Sequence, residues 1–190
     1  MLVLGISGSL RTGSYNTALL RAAGGLLPRA VRIRIHDELA LLPPYSEDHD
    51  VEPAPVTVAA LRARFAAADA LLFSTPEYNG SVPGQLKNAI DWASRPYPDN
   101  VLREKPVAVI GASTGIFGAV WAQADLRRIL TTTGAQVLDR ELMLGDAPAA
   151  FDPLLGLTDH ATTAALREVV RDLVEAARPT TKHDHVAGIC

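Results

Sequence analysis

Short apolar, β-branched runs alternate with longer helical patterns along this chain, and that alternation limits its fold more than any other feature. Leu2 to Ile6 is an apolar run closed by Ser7 and Gly8, the pattern of a buried parallel strand. The helix after it gathers Ala18, Leu19, Ala22, Ala23 and Leu26 on one face and ends at Pro28. Val31 to Ile35 alternates apolar and basic residues, as an edge or half-covered strand does. Val56 to Ala68 is helical in pattern, and Ala70 to Ser74 forms a third strand. Pro83 suits the first turn of a helix that continues to Ser94. Pro106 to Ile110 is a fourth strand, and the helix from Ala119 to Thr132 turns Ala122, Leu126, Ile129 and Leu130 inward. Ala135 to Leu142 holds a fifth strand, and Thr158 to Arg178 is the last helix. Strands separated by helices imply an α/β chain with a doubly wound, five-stranded parallel sheet. Right-handed crossovers then restrict its topology.

A chain of 190 residues suits one domain with one substantial core. That domain is expected to span residues 1–178, with 179–190 as a loose tail. Residues His36 to Pro55, rich in proline and acid, read as a long loop of the kind that often carries function. A net charge of −3, from 18 basic and 21 acidic residues, argues against a nucleic-acid surface. The single cysteine, Cys190, allows no intrachain disulfide and no cysteine zinc site. No stretch reaches the ~18 apolar residues of a membrane span, and the N-terminus lacks the basic start of a signal peptide. These features predict a cytoplasmic protein that does not enter a membrane.

Chemistry is expected beyond the C-terminal ends of the strands, where open α/β sheets bind ligands. Three unusual loops follow strands one, three and four: SGSLRTGSYN, TPEYNGSVPG and GASTGIFG. In the strand order 2-1-3-4-5 they are neighbours. The first has Gly8 and Gly13 at the spacing of a P-loop, but Ser14 and Tyr15 stand where lysine and a hydroxyl residue would follow. Its hydroxyls, Arg11, Asn16 and the amides of the next helix suit an anion. A nucleoside triphosphate would be expected to bring the lysine and a magnesium ligand. The missing lysine favours a monophosphate such as that of FMN. The same loop could be only a polar turn with a good N-cap. In the second loop, Glu77 and Tyr78 follow a buried strand, where they could border a planar ring; Glu77 could instead be a helix-capping acid and Tyr78 ordinary rim packing. No dinucleotide G-x-G-x-x-G follows the first strand, and no G-x-S-x-G elbow supports a serine hydrolase. No metal site is expected; His183 and His185 flank Asp184 in the tail without a third ligand nearby.

Taken in order, SGSLRTGSYN, TPEYNGSVPGQLKNAIDWASRP and GASTGIFGAVWAQADLR resemble the NAD(P)H-dependent FMN reductase family, which includes quinone and chromate reductases. The resemblance implies a flavodoxin-like fold of order 2-1-3-4-5, with helices on both faces and a tightly held FMN. It implies that Ser9, Arg11, Ser14 and Asn16 bind the phosphate. Pro76, Glu77, Tyr78, Asn79 and Gly80 would hold the isoalloxazine, and Ser113, Thr114 and Gly115 would close its other side. NADPH or NADH would deliver hydride to the flavin N5, and a quinone, azo compound, metal oxyanion or free flavin would then collect the electrons in ping-pong fashion. The flavin carries this chemistry, so no acid–base catalyst is expected. A homodimer, or a tetramer, is implied. Relatives often read G-G-x-R-A-Q where this chain has Gly118 to Gln123, with Ala119 for a glycine and Trp121 for the arginine. Trp121 is then either a core residue or an apolar interface residue. The rival readings are a flavodoxin-like electron carrier and a flavin-free structural or regulatory protein.

Overall fold

The computed structural model describes residues 1–178; His183 and His185 lie outside them. The strands β1 (Leu2–Ser7), β2 (Arg32–His36), β3 (Ala70–Thr75), β4 (Pro106–Ala112), β5 (Gln136–Val137) and β6 (Met143–Leu144) form one parallel sheet. The order is β2-β1-β3-β4-β5, with β6 also paired to β4, so the expected flavodoxin-like order holds. The helices are α1 (Tyr15–Leu26), α2 (Val56–Ala67), α3 (Gly84–Ala93), α4 (Val120–Thr132), the short α5 (Ala147–Ala150) and α6 (His160–Ala176).

Strand side chains alternate between faces, so each strand feeds two cores. Leu71 and Phe73 of β3 pack with Phe65 of α2, Trp92 of α3 and Leu126 of α4. Ala70 and Leu72 of the same strand pack with Leu19 of α1 and Val169 and Leu173 of α6. Helices therefore cover both faces, and β3 is buried along its whole length, as its unbroken apolar run predicts.

The fifth strand differs from the expected single run. Between Val137 and Met143 the chain advances six residues (143 − 137), while their partners on β4, Val107 and Gly111, are four apart (111 − 107). Two extra residues loop out of the ladder. The segment carries Asp139, Arg140 and Glu141, whose charges reach outward: Asp139 and Glu141 pair with Arg127 at 3.7 and 3.5 Å, and Arg140 pairs with Asp172. An edge position tolerates this interruption because only one ladder is lost.

The proline-rich segment before α2 is more ordered than a loop reading implies. It contains two 3₁₀ turns, Leu39–Leu41 and Glu47–His49. Leu39 and Leu42 are buried. Gln85, Asn88 and Trp92, on one face of α3, bind its backbone: Gln85 Nε2 donates to Leu39 O, and Asn88 Nδ2 and Trp92 Nε1 both donate to Pro43 O at 2.9 and 2.8 Å. No helix among the described residues is long and apolar enough to cross a membrane.

Candidate functional site

The three loops singled out in the sequence meet at the C-terminal edge of β1, β3 and β4, around a cleft of about 330 Å³. Gly8 makes their approach possible. A Cβ there would sit 2.9 Å from Leu86 Cδ2 and 3.2 Å from the Pro76 ring, and Gly8 N donates to Ser74 O at 2.8 Å. A side chain would push the first two loops apart.

Past Ser9, whose N–H donates to Ser7 Oγ at 3.3 Å, the first loop leaves its amides free. Among the described residues, the backbone N–H groups of residues 10 to 16 have no acceptor. Ser14 caps α1, its Oγ accepting from Thr17 N at 3.2 Å, which leaves its hydroxyl proton available. Orphan amides, hydroxyls and the positive end of the α1 dipole converge on one place, and that donor set fits a phosphate. Arg11 lies over the Tyr15 ring at 5.5 Å from its centroid.

All four expected residues of the first loop, Ser9, Arg11, Ser14 and Asn16, line the cleft. Asn16 is nevertheless committed elsewhere. Its Oδ1 accepts from Ser74 Oγ at 2.9 Å and from Ala112 N at 3.0 Å, and its Nδ2 donates to Ala112 O at 2.9 Å. Of its four hydrogen-bonding positions, one Nδ2–H is left. Asn16 ties α1 to the ends of β3 and β4.

Pro76, Glu77 and Tyr78 line the cleft, whereas Asn79 and Gly80 do not. Those two form the tip of a tight hairpin. Tyr78 and Ser81 exchange backbone hydrogen bonds of 3.0 and 3.1 Å across them, with φ of 53° at Asn79 and 75° at Gly80. Asn-Gly is favoured at this mirror-image turn because both residues tolerate positive φ. The hairpin is pinned to α4 by Ser81 Oγ, which donates to Asp125 Oδ2 at 2.7 Å. That hydroxyl, with Arg128 beside it, holds the Asp125 carboxyl below its ordinary pKa.

Glu77 takes the capping role that its residue type also allowed, on a helix 44 residues ahead. Its Oε2 accepts from Trp121 N and Ala122 N, at 3.0 and 3.2 Å. These amides belong to the first turn of α4, whose own N-cap, Ala119, has no side chain to offer. Glu77→Ala is expected to lower unfolding free energy by ~0.5–2 kcal/mol, as loss of an N-cap does, with Glu77→Gln losing less because it keeps an acceptor. Urea unfolding of the three proteins measures this; an unchanged midpoint for the alanine variant contradicts the cap.

The third loop contributes Ser113 and Thr114 to the cleft, while Gly115 lies outside it. Gly115 N donates to Ser113 Oγ at 2.9 Å and its carbonyl accepts from Asp146 N at 3.1 Å, so Gly115 is used in shaping the loop. Tyr15 and Ala112 also line the cleft. Both belong to loops singled out in the sequence, SGSLRTGSYN and GASTGIFG, but neither is among the expected site residues, because neither side chain offers an evident anion contact. Trp121 is not a core residue. It is 52 % exposed and meets Phe117 edge to face at 5.1 Å.

Residues 1–149 match the family described as NADPH-dependent FMN reductase. The chain is 46 % identical over 175 residues to the NAD(P)H-dependent FMN reductase PA1204 of Pseudomonas aeruginosa, covering 92 % of this chain and 91 % of that protein. It is 40 % identical over 156 residues to a quinone reductase of Escherichia coli, covering 81 % and 82 %. Among solved structures it resembles the flavoenzyme NAD(P)H:(acceptor) oxidoreductase FerB of Paracoccus denitrificans, with a TM-score of 0.84 and 36 % identity over 93 % of this chain and 96 % of that one. The strand order, the lysine-free anion loop, the cleft and these matches agree: the chain belongs to the NADPH-dependent FMN reductase family.

Proposed function

We propose that the protein is an NAD(P)H oxidoreductase that holds FMN in the cleft between its three loops and reduces quinones by a ping-pong mechanism. The observation that carries this reading is the set of unpaired amides and hydroxyls in the first loop, opposite Pro76, Glu77 and Tyr78. When bound, FMN would accept hydride from the nicotinamide and pass electrons to the acceptor. The chain's own residues would do the rest. Ser9, Ser14 and Arg11 would bind the phosphate, with the remaining Asn16 Nδ2–H beside them. Glu77 would keep the second loop against α4, and Ser113 and Thr114 would bound the opposite wall. Tyr78, half exposed at the rim, would limit access to the ring. A quinone is the acceptor favoured by the likeness to the quinone reductase; azo compounds, metal oxyanions and free flavin are the other candidates.

The phosphate assignment has a direct test. Apoprotein is expected to bind FMN at least ~100-fold more tightly than riboflavin, because the phosphate adds several charge-assisted hydrogen bonds of ~1.5–3 kcal/mol each. Calorimetric titration reads both affinities, and equal affinity sinks the assignment. NADPH oxidation under air, with and without an added quinone, then distinguishes an enzyme from a one-electron carrier.

The same reading includes a homodimer in the cytoplasm. Ile116, Phe117 and Trp121 form an exposed apolar strip beside the cleft, and Tyr78 adds to it. Burying such a strip against a second copy would stabilise a dimer and wall the flavin site. Sedimentation at micromolar concentration with FMN bound is expected to give a dimer or tetramer; a monomer overturns the assembly.

A further inference from the structure

We propose that Gln123, buried in the first turn of α4, is a positioning residue that fixes the separation of the second and third loops and so the fit of FMN between them. The proposal rests on the flavin reading above for what lies in the cleft. Gln123 does not line the cleft itself; it acts through the two loops that do. It is 1 % exposed and lies on the face of α4 that also buries Ala122, Leu126 and Leu130.

Its Nε2 donates to Gly118 O at 2.9 Å. A flipped carboxamide would set Oε1 against that carbonyl, so the orientation is fixed. The third loop is thereby tied at both ends. Ser113 N donates to Leu144 O at 3.0 Å where the loop leaves β4, and Gln123 holds Gly118 where it approaches α4. The same carboxamide reaches the root of the second loop. A Cβ on Gly111 would lie 2.7 Å from Gln123 Nε2 and 2.9 Å from Thr75 O, so the group sits over Thr75 and Gly111, the last pair of β3 and β4. Pro76 follows Thr75 directly and Ser113 follows Gly111 by two residues, and both line the cleft. Glu77 binds the neighbouring amides, Trp121 N and Ala122 N. One helical turn therefore receives both loops, through Glu77 nearer the surface and Gln123 in the core.

The other end of the carboxamide supplies an independent observation. Gln123 Oε1 is buried and has no donor among the described residues. An unpaired buried acceptor lowers stability, and an apolar side chain of similar length would avoid that loss. The neighbours of Gln123 on this face of the helix are all apolar. Stability alone therefore does not account for an amide here, whereas the grip on Gly118 O does. Exchanging Gln123 for methionine removes one unpaired acceptor and creates another at Gly118 O, so stability changes little while the third loop loses its hold.

The test is FMN titration of wild-type apoprotein and of Gln123→Met and Gln123→Glu, with three further readouts: apoprotein melting temperature, visible circular dichroism of the bound flavin, and its rate of reduction by saturating NADPH. Gln123→Met is expected to melt close to wild type and to bind FMN about tenfold more weakly, the worth of one hydrogen bond. Its flavin dichroism is expected to change and its flavin to be reduced more slowly. Gln123→Glu has a proton for Gly118 O only while its carboxyl is neutral, and burial raises a carboxyl pKa. Its FMN affinity is expected to match wild type at low pH and to fall below it as the pH rises; taking the ratio to wild type cancels the titration of the phosphate itself. Wild-type affinity and dichroism in Gln123→Met overturn the proposal. So does a Gln123→Met protein whose melting temperature collapses while its folded fraction holds flavin normally, the mark of a merely structural side chain. A pH-independent ratio for Gln123→Glu overturns it as well. Wild-type protein that binds no FMN sinks the flavin reading, and this proposal with it, before any variant is compared.

Discussion

Asn16→Leu is expected to destabilise the apoprotein by several kcal/mol, more than loss of a cofactor contact can explain. The substitution leaves the hydroxyl of Ser74 and both backbone groups of Ala112 without their partner. Asn16 is 3 % exposed and Ser74 is fully buried, so water does not replace the lost bonds without opening the site. Each buried polar group left unpaired costs ~1–3 kcal/mol. Against a typical domain stability of ~5–15 kcal/mol, three such groups bring the chain near unfolding. Chemical denaturation of the apoprotein measures the loss. If Asn16 were chiefly a phosphate ligand, as the sequence resemblance implies, the apoprotein midpoint would stay put and only FMN affinity would fall.

Gly118→Val is expected to cost at least ~3 kcal/mol and to strip FMN from the protein, through backbone strain and backbone collision together. Gly118 has φ of +57°, which a β-branched residue adopts only under strain. A Cβ at this position would also lie 2.5 Å from the carbonyl carbon of Met143 and 2.8 Å from Leu144 N. These atoms cannot retreat cheaply. Ser113 N donates to Leu144 O at 3.0 Å and Gly111 N to Leu142 O at 3.0 Å, tying the same segment to β4. On its other side, Gly118 O is held by Gln123 Nε2 at 2.9 Å. Relief requires the third loop to move off β6, which shifts Ser113 and Thr114 out of the cleft wall. Thermal melting and flavin retention after gel filtration are the two readouts. A variant that melts like wild type and keeps its flavin contradicts the close approach.

Both substitutions show where reading by pattern stops. Apolar periodicity made β1, β3 and β4 visible, because a strand buried on both faces has no room for polar residues. Amphipathic spacing found α1, α4 and α6 to within a few residues for a similar reason: one stripe of each must face the sheet. Glycine and hydroxyl residues marked the loops, since tight turns and anion contacts need those residue types locally. Right-handed crossovers only narrow the possible strand orders; the order of β2, β1, β3 and β4, and with it the convergence of the three loops, is what the family resemblance implies and what the fold shows.

Partner choice among polar side chains was not legible. Glu77 caps α4 across 44 residues, and Asn16 bonds Ala112 across 96, and no local rule selects those partners over water. The fifth strand split because Asp139, Arg140 and Glu141 found Arg127 and Asp172 on helices that only the packed fold brings alongside. The proline-rich segment gained order from Gln85, Asn88 and Trp92, which nothing in its own composition announces. Asn79 and Gly80 went to a turn rather than to the cleft wall, because positive φ at both left them pointing the chain and not lining the site. The sequence by itself determined the elements and the layers, which depend on short-range periodicity and residue type, while the strand order and the meeting of the loops expected to form the site came through its resemblance to a family. Only the tertiary structure decided which polar groups hold that site together, because a hydrogen bond between distant residues exists only once the core has already brought them within reach.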